Sequence, residues 1–305
     1  MLENKTFTTA EYELKIIYEP KERNIYKLPY FPDRIIHHAI MQVLQPIWDK
    51  IFIYDLYSSI PGRGIHAGSY RLRSFLKDKE NTQYCLKFDI SKFYPSMNHD
   101  ILLNIIKCKI KCKDTLWLLE DVIRSMEGVP IGNYLSQYFG NLYLNGFDHW
   151  IKEQKKMRYY LRYCDDGVIL HKDKDVLKAL KIEMEHKLSE LGLTLNPKTC
   201  IFPVDRCGID FLGYRHYRGY TLLRKSSARK FKDRTKEIVK RHEQMRDDEV
   251  VCSIMSHVGW LKHCNSYNLM RSYMYDNRGL ISIMDEKCQQ LGIANPLEKL
   301  IGGET

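Results

Sequence analysis

The nine cysteines include no Cys-x-x-Cys spacing, and nine is an odd number. Neither a disulfide framework nor a zinc ribbon is expected, and reduced thiols of this kind fit the cytoplasm. The closest pair, Cys108 and Cys112, falls on a helical pattern without histidine neighbours and reads as structural. No run approaches the roughly 18 consecutive apolar residues of a membrane helix. Met1 to Ala10 is polar and lacks the basic-then-apolar build of a secretion leader. Internal repeats and low-complexity tracts are absent as well. Yet the chain is too apolar for disorder: 44% of its 305 residues are hydrophobic, and that length allows about two domains' worth of core.

What is abundant is positive charge. Lys and Arg number 48 against 38 Asp and Glu, a formal net charge of +10. An excess of that size favours a polyanionic partner, because each neutralised phosphate releases counterions. The excess is also concentrated. Nine basic residues lie between Arg224 and Arg241, opposed only by Asp233 and Glu237. A solvated helix face is the ordinary alternative.

Tyr12 to Tyr18 and Ile25 to Leu28 read as short strands about a polar turn from Glu19 to Asn24. Pro32 and Asp33 open a helix with Ile35, Ile36, Ala39, Ile40, Val43, Leu44 and Ile47 at helical spacing. Pro61, Gly62, Gly64 and Gly68 make a loop of Ser58 to Ser69. Tyr84 to Ile90 alternates as a strand and carries Asp89 near its end. One long helix is expected from Asn133 to Lys152, then strands Tyr159–Tyr163 and Val168–His171 flanking Cys164-Asp165-Asp166-Gly167. Asp175 to Leu191 is an amphipathic helix closed by Gly192. Ile209–His216 and Tyr220–Leu223 form a hairpin turning at Arg218-Gly219, and beyond Arg224 only basic helices follow. This order describes an α+β chain with a split β-α-β antiparallel sheet backed by helices.

Two adjacent acids between apolar strands, Asp165 and Asp166, are unusual, since like charges repel and burial penalises both. An exposed Asp-Asp-Gly turn is the ordinary explanation of the dipeptide alone. Asp89, ending another apolar strand, changes the balance. In an antiparallel sheet its carboxylate comes beside the pair, and a cation among the three offsets their repulsion. Mg²⁺ takes oxygen ligands of this kind and keeps room for water and phosphate. Two such ions, roughly 3.5–4 Å apart, serve in-line phosphoryl displacement.

Phe88-Asp-Ile-Ser-Lys-Phe-Tyr-Pro-Ser96 and Tyr163-Cys-Asp-Asp166 resemble motifs A and C of reverse transcriptases. Between them, Gly128-Val-Pro-Ile-Gly-Asn-Tyr-Leu-Ser-Gln137 resembles motif B. Leu191 to Thr199 is similar to motif D, and Phe211-Leu-Gly-Tyr214 to the primer-grip motif E. The motifs stand in the family's order over about Tyr12 to Tyr220. The resemblance implies a right-hand polymerase: fingers over 1–88 with part of 106–132, palm over 89–223, and a small helical thumb over 224–305. It implies RNA-directed DNA synthesis with template RNA, primer, cDNA product and dNTPs as partners, and no membrane.

The same resemblance implies residue roles. Asp89, Asp165 and the carbonyl of Ile90 would hold two Mg²⁺ ions, for which Mn²⁺ could substitute, with Asp166 nearby and less direct. Tyr94 occupies the steric-gate position, Lys21 and Arg23 match the basic pair that grips the triphosphate, and Lys198 matches the motif D proton donor. Ile131 and Gly132 would lie at the nucleotide. Phe211, Leu212, Gly213 and Tyr214 would grip the primer. Arg224, Lys225, Arg229, Lys230 and Lys232 are candidate phosphate contacts, and Arg63 a candidate template contact.

Motif B is where the pattern departs: Ile131-Gly132 stands where many families have Gln before the glycine, and Ser136-Gln137 where they have Ser-Pro. The Ile-Gly-Asn-x-x-Ser-Gln form resembles enzymes of diversity-generating retroelements, as do Glu19-Pro-Lys-x-Arg-x-Ile25 and Gly259-Trp-Leu-Lys-His263. That resemblance implies low fidelity at template adenines and a small basic accessory protein. Group II intron, retron and phage-defence reverse transcriptases are alternatives, and a non-catalytic RNA-binding palm is another. No nuclease or maturase module is expected after residue 305. The early fingers motif raises the expectation of missing template-binding structure at the amino end.

Overall fold

The computed structural model describes residues 1–18 and 22–297, and every structural statement here concerns those residues. They divide between two compact units, Met1–Arg206 and Cys207–Thr305. The second begins before the expected start of the thumb at 224.

In the first unit, β1 (Glu13–Ile17) and β2 (Arg23–Lys27) form the expected antiparallel pair, Ile17 opposite Arg23. α1 (Ile35–Trp48) buries Ile36, Ile40, Met41, Leu44 and Trp48 along one stripe. α2 (Ile65–Leu76) takes in the end of the segment expected as a loop. Burial of Ser69, Leu72, Phe75 and Leu76 outweighs the poor helix propensity of Gly68. β3 (Tyr84–Phe88) is followed by α3 (His99–Lys109), whose first turn is capped by the Asn98 side chain, and by α4 (Lys113–Arg124). Cys108 therefore lies on α3 and Cys112 at the start of α4, not on one helix. None of the nine cysteines forms a disulfide.

The single long helix expected from Asn133 is broken into α5 (Tyr134–Tyr143) and α6 (Asn145–His149) at Leu144, whose side chain is buried. β4 (Tyr159–Tyr163), β5 (Asp166–His171), α7 (Lys174–Ser189), β6 (Cys200–Pro203) and the short α8 (Val204–Cys207) complete the series. Gly192, at φ +70, closes the turn after α7 as expected.

β3 to β6 form one antiparallel sheet in the order β4-β5-β3-β6, separate from the β1-β2 pair. Its third and fourth members, β3 and β6, are joined in register from Tyr84↔Pro203 to Lys87↔Cys200. β6, four residues long and exposed at its start, was not expected. The sheet packs through Leu86, Phe88, Tyr160 and Ile169 into a core shared with Leu102, Leu142, Phe147, Leu180 and Met184 of the helices.

The second unit opens with a three-stranded meander of β7 (Ile209–Phe211), β8 (Tyr214–His216) and β9 (Thr221–Leu223). The expected strand Ile209–His216 is split by a two-residue turn, Leu212-Gly213, at φ +53 and +83. α9 (Lys225–Arg241), α10 (Asp247–Leu261), α11 (Tyr267–Met270) and α12 (Arg278–Gln290) follow, packed through Phe231, Ile238, Ile254, Val258, Leu280 and Met284. No described helix is long and apolar enough to cross a membrane.

Candidate active site

β4 and β5 are joined by two residues, Cys164 and Asp165, with Tyr163 paired to Asp166. The turn is tighter than expected, and Gly167 belongs to the strand. Cys164 sits at φ +55, the left-handed conformation that such a hairpin demands of its first central residue. Gly167 has another purpose: a Cβ there would fall 2.3 Å from the Phe88 ring, which lies across it.

Phe88 is the last residue of β3 paired to β5, opposite Gly167. Asp89 therefore leaves the ladder beside the Cys164-Asp165 turn. Its carboxylate and that of Asp165 are in hydrogen-bond contact. Burial, and after it the charge and hydrogen bond of Asp89, hold the Asp165 carboxyl above the usual carboxylate range, against the opposing pull of its own backbone N–H. Asp166, half-buried, follows as the first residue of β5.

Ile90 bridges Leu195 across bonds from Ser91 N–H to the Thr194 carbonyl (2.9 Å) and from Asn196 N–H to the Asp89 carbonyl (2.8 Å). This is the pairing in which the central residue's own N–H and carbonyl point the other way. The Ile90 carbonyl thus faces the β5 side, where the aspartates lie. Asn196 also donates from Nδ2 to Asp89 Oδ2 at 2.8 Å and accepts from the Lys198 N–H at 3.0 Å. The Lys198 side chain is exposed.

Two touching carboxylates with a carbonyl on the same side fit a hard divalent ion, whose charge offsets their repulsion and burial. Among the described residues, no three His, Cys, Asp or Glu side chains gather into a group that could hold a metal ion, so Asp166 does not join Asp89 and Asp165 in the expected trio.

Tyr94 lies over this turn, its hydroxyl 3.1 Å from Cys164 Sγ. Its ring packs against Phe93 and the backbone of Gly140 on α5. Burial, then the neighbouring Cys164, raises the phenol above its ordinary value, and burial pushes the Cys164 thiol up to about 12. Beneath the turn, Arg162 donates from Nη1 to the Cys164 carbonyl at 2.6 Å and is paired with Asp148.

The motif B loop is tied to β2. Tyr26 N–H donates to the Ile131 carbonyl at 2.8 Å, and a Cβ on Gly132 (φ +124) would fall 2.5 Å from the Tyr26 carbonyl oxygen. Only glycine permits that approach. Ile131, Tyr26, Val129, Pro95, Asn24 and Glu22 line a cleft of about 780 Å³. Lys21 lies outside the described residues, and Arg23 opens β2 opposite Ile17. Arg63 bonds the carbonyls of Ile53 and Tyr54 at 3.2 and 3.1 Å and stacks over the Tyr54 ring. Part of its bonding capacity is thereby turned inward.

In the second unit the motif E residues divide. Phe211 and Tyr214 are core side chains, 1% and 0% exposed, with the Tyr214 hydroxyl on the Trp260 carbonyl. Both side chains are thus turned into the core of this unit. Leu212 and Gly213 form the half-buried turn, where a Cβ on Gly213 would meet the Trp260 ring at 2.6 Å. Arg224 precedes α9 and is ion-paired with Asp210 at 2.6 Å, while Lys232 lies over the Tyr273 ring. Lys225, Arg229 and Lys230 are exposed along α9. Arg234, also in the basic stripe, anchors α9 through Ser253, Glu237 and Glu249.

Asn196, Cys164, Arg162 and Asp148 were not singled out from sequence. Asn196 carries no charge or periodicity to mark it. Asp148 was detectable, standing on the apolar stripe of Leu144 and Ile151. Arg162 likewise interrupts an apolar strand.

The family model described as reverse transcriptase (RNA-dependent DNA polymerase) matches residues 19–216, and the chain belongs to that family. Protein YkfC of Escherichia coli (strain K12) is 25% identical over 251 residues, 66% of each chain. The group II intron-encoded protein LtrA of Lactococcus lactis subsp. cremoris is 23% identical over 43% of this chain and 23% of its own length. The retron Ec48 reverse transcriptase of Escherichia coli is 26% identical over 65% of this chain and 54% of its own. The chain thus spans two thirds or less of these relatives. Among solved structures, apo telomerase from Candida tropicalis matches with TM-score 0.56 and 16% identity, over 94% of this chain and 59% of that one. An insertion-loop deletion mutant of a human picobirnavirus RNA-dependent RNA polymerase matches with TM-score 0.58 and 13% identity, over 97% and 61%. The fold is that of the right-hand polymerases.

Proposed function

We propose that the chain is an RNA-directed DNA polymerase that extends a primer on template RNA by two-metal nucleotidyl transfer from dNTPs. The observation that carries this reading is the contact of Asp89 with Asp165 at the ends of adjacent strands, with the Ile90 carbonyl turned to the same side. Two Mg²⁺ ions, or Mn²⁺ in their place, would supply charge neutralisation for the attacking and leaving oxygens. Asp89, Asp165 and Ile90 would hold them, Asp166 standing close by. Tyr94 would exclude a ribose 2′-hydroxyl, Lys21 and Arg23 would bind the triphosphate, and Lys198 would protonate the leaving group. The Leu212-Gly213 turn would meet the primer. Lys225, Arg229, Lys230 and Lys232 would follow the phosphates of the duplex.

Primer extension on an RNA template with Mg²⁺ tests this, with Asp165→Asn as the inactive control. Extension by wild type alone is expected; no extension with either metal overturns the reading.

The finer reading is an error-prone enzyme of the diversity-generating type, aided by a small basic accessory protein and working in the cytoplasm. Its support is Ile131, an apolar lining of the cleft where a glutamine amide would offer hydrogen bonds. Relatives named for a group II intron and a retron favour those types as the second reading. Sequenced cDNA decides between them. Errors concentrated at template adenines and reduced by Ile131→Gln are expected, and equal adenine error in both proteins overturns the finer reading.

A further inference from the structure

Two residues before the catalytic turn, β4 carries a fully buried arginine. Arg162 and Asp148 are both 0% exposed and pair through two bonds, Nε to Oδ1 at 2.8 Å and Nη2 to Oδ2 at 2.5 Å. The Tyr160 hydroxyl donates to the same Asp148 Oδ1 at 2.5 Å. Burial works against the guanidinium charge, yet the charge and hydrogen bonds of Asp148 raise its pKa above the ordinary value. The main chain of Arg162 is held too, its N–H by the Asp55 carbonyl and its carbonyl by the Tyr57 N–H, each at 3.0 Å. Nη1 donates to the Cys164 carbonyl at 2.6 Å.

A buried ion pair is a weak source of stability, because desolvation cancels much of the attraction and an apolar pair of similar volume often serves as well. What an apolar pair cannot do is donate to the turn. The Cys164 carbonyl belongs to a non-glycine residue in the left-handed region, and its peptide plane leads directly into Asp165. That plane decides where the Asp165 carboxylate lies relative to Asp89.

We propose that the Asp148–Arg162 pair is a positioning device for the metal site. Asp148 fixes the guanidinium plane, and Arg162 clamps the Cys164 carbonyl so that Asp165 is held against Asp89 before any ion arrives. The inference rests on the polymerase reading for its catalytic consequence but not for its structural one.

The test uses Arg162→Lys and the double variant Asp148→Leu/Arg162→Met. A lysine ammonium can meet Asp148 but cannot fork to the turn carbonyl as well. The apolar double variant leaves no charge unpaired. Expected in both are faster amide exchange across Tyr163–Asp166 and Mn²⁺ affinity lowered about 10-fold or more by electron paramagnetic resonance. In extension assays, kcat falls by roughly 10- to 100-fold while KM for primer–template is unchanged. Wild-type turn exchange and Mn²⁺ affinity in Arg162→Lys overturn the clamp, whether or not the double variant folds. A wild-type protein that shows the clamp phenotype on substitution yet extends no primer refutes the polymerase reading alone.

Discussion

Asn196 Nδ2 lies 2.8 Å from Asp89 Oδ2, and the N–H of the same residue reaches the Asp89 carbonyl at 2.8 Å. One asparagine thus fixes both the backbone and the carboxylate of a candidate metal ligand. Hydrogen bonds to charged groups contribute about 1.5–3 kcal/mol. Asn196→Ala is expected to lower kcat/KM for dNTP addition by about 10-fold or more. Asn196→Asp, which adds a further negative charge beside Asp89, is expected to do worse. Steady-state extension by both variants checks this, and wild-type rates would remove Asn196 from the site.

The raised Asp165 carboxyl gives the metal-free protein a pH dependence of definite sign. A carboxyl whose folded pKa exceeds its unfolded value binds protons more readily when folded, so its contribution to stability falls as pH rises between the two values. In EDTA, Asp165→Asn should therefore melt above wild type at neutral pH, with the difference fading below the ordinary carboxylate range. Melting curves across pH, with and without Mg²⁺, measure it; Mg²⁺ should narrow the gap by stabilising wild type. A wild type that melts higher throughout the neutral range in EDTA would contradict the assignment.

Tyr94 separates ring from hydroxyl. Tyr94→Ala should raise ribonucleotide incorporation relative to deoxynucleotide by about 10-fold or more, a change of roughly 1.4 kcal/mol in discrimination. Tyr94→Phe keeps the ring and loses only the contact with Cys164 Sγ, so discrimination should survive. Competition between matched rNTP and dNTP on one template reads both variants. Unaltered discrimination in Tyr94→Ala would show that the ring is not the gate.

Lys225 and Arg229 are exposed on α9, whereas Arg224 is paired with Asp210 and Arg234 with Glu237 and Glu249. Replacing Lys225 or Arg229 by Ala should weaken primer–template binding irrespective of sequence. Each should also reduce the slope of log affinity against log salt by about 1. Arg234→Ala should chiefly lower the melting temperature. Salt titrations of binding distinguish the two behaviours.

The individual strands, helices and strand-end acids were legible because their signals are local, whereas the right-hand fold was implied by the order of the motifs and not by periodicity. Apolar alternation marked β3, β4 and β5, helical spacing marked α1 and α7, and acids at strand ends in Phe88-Asp89 and Tyr163-Cys-Asp-Asp166 stood out against apolar neighbours. Less legible were features decided by long-range packing. The break at Leu144 has no proline or glycine at it to announce it, and β6 is held by its pairing with β3. The glycine of Asp-Asp-Gly suggested a turn, yet its place is set by the Phe88 ring. Phe211 and Tyr214 matched a primer-gripping motif, while their aromatic bulk is used to build the core of the second unit. Asn196 acts through geometry alone, which composition and periodicity do not encode.

The separation of Cys108 and Cys112 onto different helices has a practical corollary. Cys112 is exposed at the amino end of α4, where hydrogen bonds from the Thr115 side chain and then from the backbone N–H groups of Thr115 and Asp114 lower its thiol pKa. A depressed, accessible thiol is the one that electrophiles meet first. A maleimide fluorophore added at limiting stoichiometry should therefore settle preferentially on this corner, giving a spectroscopic handle on the first unit without engineering a cysteine.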